Sequence, residues 1–108
     1  MKRKIKTYGG YFERFISDLS SKEVEKLDYI IALLETADRI PSKFIRYIRG
    51  GICELRITYD GSIYRVFFIF DKCDTVVFFN GFKKKTQKTP SSGIKKALQI
   101  KEAYYGNK

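Results

Sequence analysis

Arg56 and Arg65 lie in two runs rich in Ile, Val, Phe, Tyr and Thr, with Asp60-Gly61 between them. Asp-Gly between two such runs is a two-residue hairpin signal. That turn pairs Tyr59 with Ser62, then Ile57 with Tyr64, Leu55 with Val66 and Cys53 with Phe68, so that six core-type residues share one face. The same register sets Arg56 opposite Arg65 on the other face, together with Glu54, Thr58, Phe67 and Ile69. A three-residue loop would instead send the two arginines to opposite faces. Like charges directly opposite on a sheet destabilise it. The pair therefore suits a phosphate-binding surface, where guanidinium forks match phosphate oxygens, better than it suits folding. On that reading, removing Arg65 leaves the fold intact and relieves repulsion.

A second basic group follows. Lys83-Lys84-Lys85-Thr86-Gln87-Lys88 comes directly after the apolar run Val76–Phe79 and before Thr89-Pro90. Loops at strand ends are common sites of function, and these lysines are expected to converge with the two arginines. Together they suit metal-free cleavage of an RNA chain. In that reaction the 2′-hydroxyl attacks the adjacent phosphate, and the reaction needs a base, an acid and cations for the crowded negative charge. Arg56 and Arg65 fit the last role. A lysine among cations has its pKa lowered, which makes one of Lys83 to Lys85, with Lys84 the expected one, an acid or base. Glu54 is either the base or an ion-pair partner that holds one arginine. Lys83, Lys84, Lys85 and Lys88 are the expected RNA-binding lysines.

Absences bound the chemistry. The chain has no His, which excludes imidazole catalysis and His-bound zinc. Its two cysteines, Cys53 and Cys73, form no CxxC and suit reduced thiols rather than a disulfide framework or a metal site. Asp71 and Asp74 flank a turn and make a poor metal site beside lysines. Gly9-Gly10 and Gly50-Gly51 lack a phosphate-loop pattern. No metal and no cofactor are expected. Without an apolar span or a signal-type apolar segment, a soluble cytoplasmic protein with no membrane partner is expected.

The elements that must position these groups are legible in outline. The 108 residues carry a net charge of +10, of which +7 falls in residues 55–108, and they make one domain, 1–108. A charge this high predicts a polyanionic partner. Residues 3–8 predict a short strand carrying Ile5. Tyr11, Phe12, Phe15, Ile16 and Leu19 recur at helical spacing. Ser20 with Glu23 is a capping-box pattern that opens a second helix striped by Val24, Leu27, Ile30, Ile31 and Leu34. Residues 42–49 predict a further helical turn that ends at Gly50-Gly51. Ile52–Thr58, Ile63–Phe70 and Thr75–Asn80 predict an antiparallel meander. Thr89-Pro90 predicts the cap and first residue of a last helix, with Ile94, Ala97, Leu98, Lys101 and Tyr105 on one face. The class is α+β, with helices packed on one face of a small antiparallel sheet.

The combination Glu54-Leu55-Arg56, then Tyr64-Arg65-Val66-Phe67, then Gly81-Phe82-Lys83-Lys84-Lys85-Thr86-Gln87-Lys88-Thr89-Pro90 resembles the phage-derived HigB-like branch of the RelE/ParE toxins over about residues 20–105. The resemblance implies a RelE-like fold and the toxin of a type II toxin–antitoxin module. It implies a ribosome-associated, metal-independent mRNA endonuclease whose partners are mRNA, the ribosome and a helix-turn-helix antitoxin. It also implies that Arg65 serves at the scissile phosphate, with Arg56 on the neighbouring strand. Thr89-Pro90 stands where RelE has its catalytic tyrosine, so the acid and base stay open. A ParE-like gyrase-inhibiting toxin without chemistry and a basic nucleic-acid-binding module are the alternatives. Tyr11, Tyr29 and Tyr47 are candidate anchors for the antitoxin.

Overall fold

The computed structural model describes residues 2–72, 74–84 and 89–107. Its elements are β1 (Lys4–Thr7), α1 (Tyr11–Ser17), α2 (Ser21–Thr36), β2 (Ile45–Arg49), β3 (Ile52–Tyr59), β4 (Ser62–Asp71), β5 (Thr75–Lys84) and α3 (Ser91–Gly106). The strands form one sheet in the order β1-β5-β4-β3-β2. β1 runs parallel to β5 and every other pairing is antiparallel, so the sheet is mixed rather than purely antiparallel. No helix among the described residues is long and apolar enough to cross a membrane.

The Asp60-Gly61 turn holds two residues, both at positive φ, and Tyr59 pairs with Ser62. Arg56 therefore faces Arg65 across β3 and β4, in the register that the hairpin predicts. Residues 45–49 are a strand and not the expected helical turn. Gly50 and Gly51 also adopt positive φ and act as the centre of a second hairpin, joining β2 to β3. Ile45, Tyr47 and Ile48 suit a pleated edge strand as well as a helix, and the turn decides between the two.

The helices pack on both faces of the sheet, which corrects the one-face expectation. On one side, α2 buries Leu27, Ile30 and Leu34 against Leu55, Ile57, Tyr64, Val66, Phe68, Val76 and Phe78, with Phe12 and Phe15 of α1 beside them. Each such side chain contributes roughly 1.5–3 kcal/mol on burial. The Ser20 hydroxyl accepts the Glu23 amide proton and the Glu23 carboxylate accepts that of Ser20, so α2 starts in the predicted capping box. On the other side, α3 buries Ala97, Ile100 and Tyr104 against Ile52, Phe67, Ile69, Val77 and Phe79. Ile100 and Tyr104 thus replace Lys101 and Tyr105 on the inner face. Sheet strands apolar on both faces require this second cover.

Candidate functional site

α3 begins at the level of Phe67 and Phe82, where a Cβ on Gly93 would come within 2.9 Å of Phe82 and 3.1 Å of Phe67. Beyond that point the α3 side of the sheet carries Glu54 and Arg56 of β3, Arg65 of β4, Arg46 of β2 and Lys84 of β5, by strand pairing and alternation. This is the charged end of an otherwise apolar face.

Its centre is a buried carboxylate. Glu54 and Arg65 are both fully enclosed, 0% exposed, with Arg65 Nε 3.5 Å from Glu54 Oε2. The Thr89 hydroxyl donates to the same Oε2 at 2.7 Å and accepts a hydrogen bond from Arg46 Nη2 at 3.1 Å. Arg46 Nε stands 3.9 Å from Glu54 Oε1. Thr89 therefore does not cap α3. The N-cap residue is Pro90, with no side-chain capping bond, because the threonine hydroxyl is spent on the carboxylate.

The fold thus supplies what the facing arginines alone lack. Glu54 sits beside them and offsets their repulsion, so the pair has a structural partner after all. Desolvation lowers the Arg65 pKa and the Glu54 charge works against that, while Arg56 and Arg46 reinforce the lowering. Guanidinium remains charged throughout. Arg65 is a large, completely enclosed side chain, and its removal would empty core volume, which corrects the expectation that the fold ignores it.

Arg56 is different: it is partly exposed and lines a cleft of about 260 Å³ with Lys26 of α2, Lys43, Phe44, Ile57 and Thr58. Three cations, and no carboxylate among the described residues, line this cleft. The lysines from α2 and from the segment before β2 join an arginine far away in sequence, and neither was legible as a site residue. Arg46 was missed for another reason: a helical reading of residues 42–49 hides its place beside Glu54. The Gly-Gly hairpin signal before an Ile-rich run could have found it.

Lys84 is exposed on the arginine side of the sheet. Lys83, its neighbour, pairs with Tyr64 and points to the α2 side, so it does not converge with the arginines. Its ammonium donates to Glu23 Oε2 at 2.7 Å, and the Tyr64 hydroxyl donates to the same oxygen. Glu23 raises the Lys83 pKa, whereas a lowered one was expected of a lysine among cations. Lys83, first, then the Ser20 amide and Tyr64 push Glu23 down to about 2. This trio ties α2 to the end of β5. Lys85 and Lys88, with Thr86, Gln87 and Cys73, lie outside the described residues. Cys53 is buried. No cluster of three metal-ligating side chains exists among the described residues.

The chemistry open to this end of the sheet is recognition of anions by fixed guanidinium and ammonium groups. Fold comparison finds the same architecture in a solved structure, a chain of the archaeal RelE-RelB complex from Pyrococcus horikoshii OT3, at a TM-score of 0.56 and 15% identity, covering 82% of this chain and 100% of that one. The fold is RelE-like. No curated protein sequence matches the chain. Residues 14–102, from α1 almost to the end of α3, match the family model described as phage derived protein Gp49-like (DUF891). The chain belongs to the Gp49-like family of phage-derived proteins.

Proposed function

We propose that this protein is the toxin of a toxin–antitoxin pair, of the HigB-like kind, and that it cleaves mRNA at the ribosome without a metal. The observation that carries the reading is the cleft lined by Lys26, Lys43 and Arg56, with no carboxylate among its described lining residues, whose Arg56 is the cross-strand neighbour of the enclosed Arg65. A site of this composition takes a phosphodiester. The 2′-hydroxyl passes its proton to solvent water, and its oxygen forms a bond to phosphorus as the bond to the 5′-oxygen breaks; the leaving oxygen takes up a proton, giving a 2′,3′-cyclic phosphate and a 5′-hydroxyl. Arg56 and the flanking lysines stabilise the charge that grows on the phosphate oxygens. Lys84 of β5, exposed on the face of the sheet that carries Arg56 and Arg65, is assigned the proton for the leaving oxygen; its exposure and the alternation of β5 support that role. Glu54 is enclosed and held by Thr89, so its role is to hold arginines and not to take the 2′-proton. Arg65, equally enclosed, acts through that pair.

The likeness to a chain of a RelE-RelB complex supports an antitoxin partner. Tyr29 and Tyr47, 61% and 64% exposed, are anchors such a partner would cover, while Tyr11 is partly buried. The full enclosure of Arg65 favours a second reading, a toxin that binds a protein target such as gyrase and performs no chemistry. Mapping mRNA ends after induction separates the two. Codon-registered ends support cleavage, and intact mRNA with gyrase-linked DNA breaks supports the second reading.

A further inference from the structure

Arg46 and Thr89 meet each other as well as Glu54. We propose that Arg46 contacts a backbone phosphate of the bound RNA and that Thr89 is the positioning residue that aims it. This rests on the proposed RNA-binding function and extends the site to the β2 edge of the sheet.

Arg46 lies on the edge strand, and its side chain is 53% exposed, so the guanidinium reaches solvent. One Nη is committed to the Thr89 hydroxyl and the Nε faces Glu54 at 3.9 Å. A guanidinium presents five donors in a planar fork, so two fixed contacts on one edge leave its orientation set and donors to spare. The threonine is suited to this task because one hydroxyl both donates to a carboxylate and accepts from an arginine. Its own position is fixed by burial at 8% exposure and by Pro90 behind it. Next to it, Arg49 and the hydroxyl residues Ser91 and Ser92 line a cleft of about 620 Å³ with Thr89 and Pro90. Thr89 joins this cleft to Arg46, so a phosphate held by Arg46 has an open approach beside Arg49. A long arginine without such a tether would lose rotamer entropy on every binding event.

The test uses a 2′-O-methyl oligoribonucleotide, which binds without being cut, and follows affinity against salt by fluorescence anisotropy. Each phosphate contact on a single strand contributes about 0.7 to the log–log slope. Arg46→Gln is expected to lower the slope by about 0.7. Thr89→Val is expected to match it, Thr89→Ser to restore the wild-type slope, and the Arg46→Gln, Thr89→Val double variant to fall no further. Melting temperatures taken alongside identify any variant that is not folded, for which Thr89→Asn serves as the replacement. A Thr89→Val slope equal to wild type, in a wild-type protein that does bind, overturns this proposal alone. Failure of the wild-type chain to bind the oligoribonucleotide overturns it together with the RNA-binding reading.

Discussion

Replacing Glu54 by Gln keeps the shape of the side chain and removes its charge. The carboxylate and the Arg65 guanidinium are 3.5 Å apart and both 0% exposed, so water cannot take over either role. Taking one charge out of such a pair costs about 3–5 kcal/mol, most of it the desolvation of the charge that stays. The Gln amide oxygen can still accept from Thr89, which puts the expected loss near the lower end, about 3 kcal/mol. For a domain of this length that lowers Tm by roughly 12 °C or more. The midpoint of urea unfolding falls with it at unchanged slope. The complementary experiment replaces the pair with apolar residues, Glu54→Leu with Arg65→Met. That double variant should be more stable than either single one, because no buried charge is left behind. A Glu54→Gln protein within about 0.5 kcal/mol of wild type would refute the reasoning, as would a double variant that loses the sum of the two single losses.

Other outcomes follow from the same geometry. Arg56→Ala removes a partly exposed side chain from the cleft, and is expected to leave Tm within a few degrees while RNA cleavage drops by roughly 10²–10³, the usual loss for one charge-stabilising donor. Glu23 has its pKa lowered to about 2, so its contribution to stability is present above the unfolded carboxyl pKa and is lost as pH falls toward 2. Lys83 has a raised pKa, so its side of the pair is lost only as pH climbs above the ordinary lysine range. Glu23→Gln should flatten the acid limb of a stability-against-pH curve between about pH 4.5 and 2. Ser20→Ala breaks one half of the capping box and should cost about 1 kcal/mol by urea unfolding, without altering RNA binding.

The parts of the molecule that sequence made legible are those fixed by local rules. Asp60-Gly61 dictates a turn, the turn dictates the register, and the register places Arg56 against Arg65. Ser20 and Glu23 close a capping box within three residues. The missed parts depend on partners distant in the chain. Residues 45–49 satisfy both a helical and an extended pattern, and only pairing with β3 settles them. Helices were expected on one face only, although Phe67, Ile69, Val77 and Phe79 make β4 and β5 apolar on both sides, a pattern that requires a second cover. Thr89 ahead of Pro90 reads as a cap by local rule, yet a buried carboxylate from β3 outcompetes the helix terminus for its hydroxyl. Lys83 and Lys84 are neighbours in a basic run, and strand alternation sends them to opposite faces.

The proposed reaction is cleavage of a phosphodiester by its own 2′-hydroxyl at the cationic end of the sheet. The most direct measurement is the chemistry of the RNA ends made by the purified protein on translating ribosomes, compared with Arg56→Ala. The expected result is 5′-hydroxyl and 2′,3′-cyclic phosphate ends from the wild-type chain and almost none from the variant. Uncut mRNA from a wild-type preparation that arrests growth, or equal cutting by folded Arg56→Ala, would contradict it.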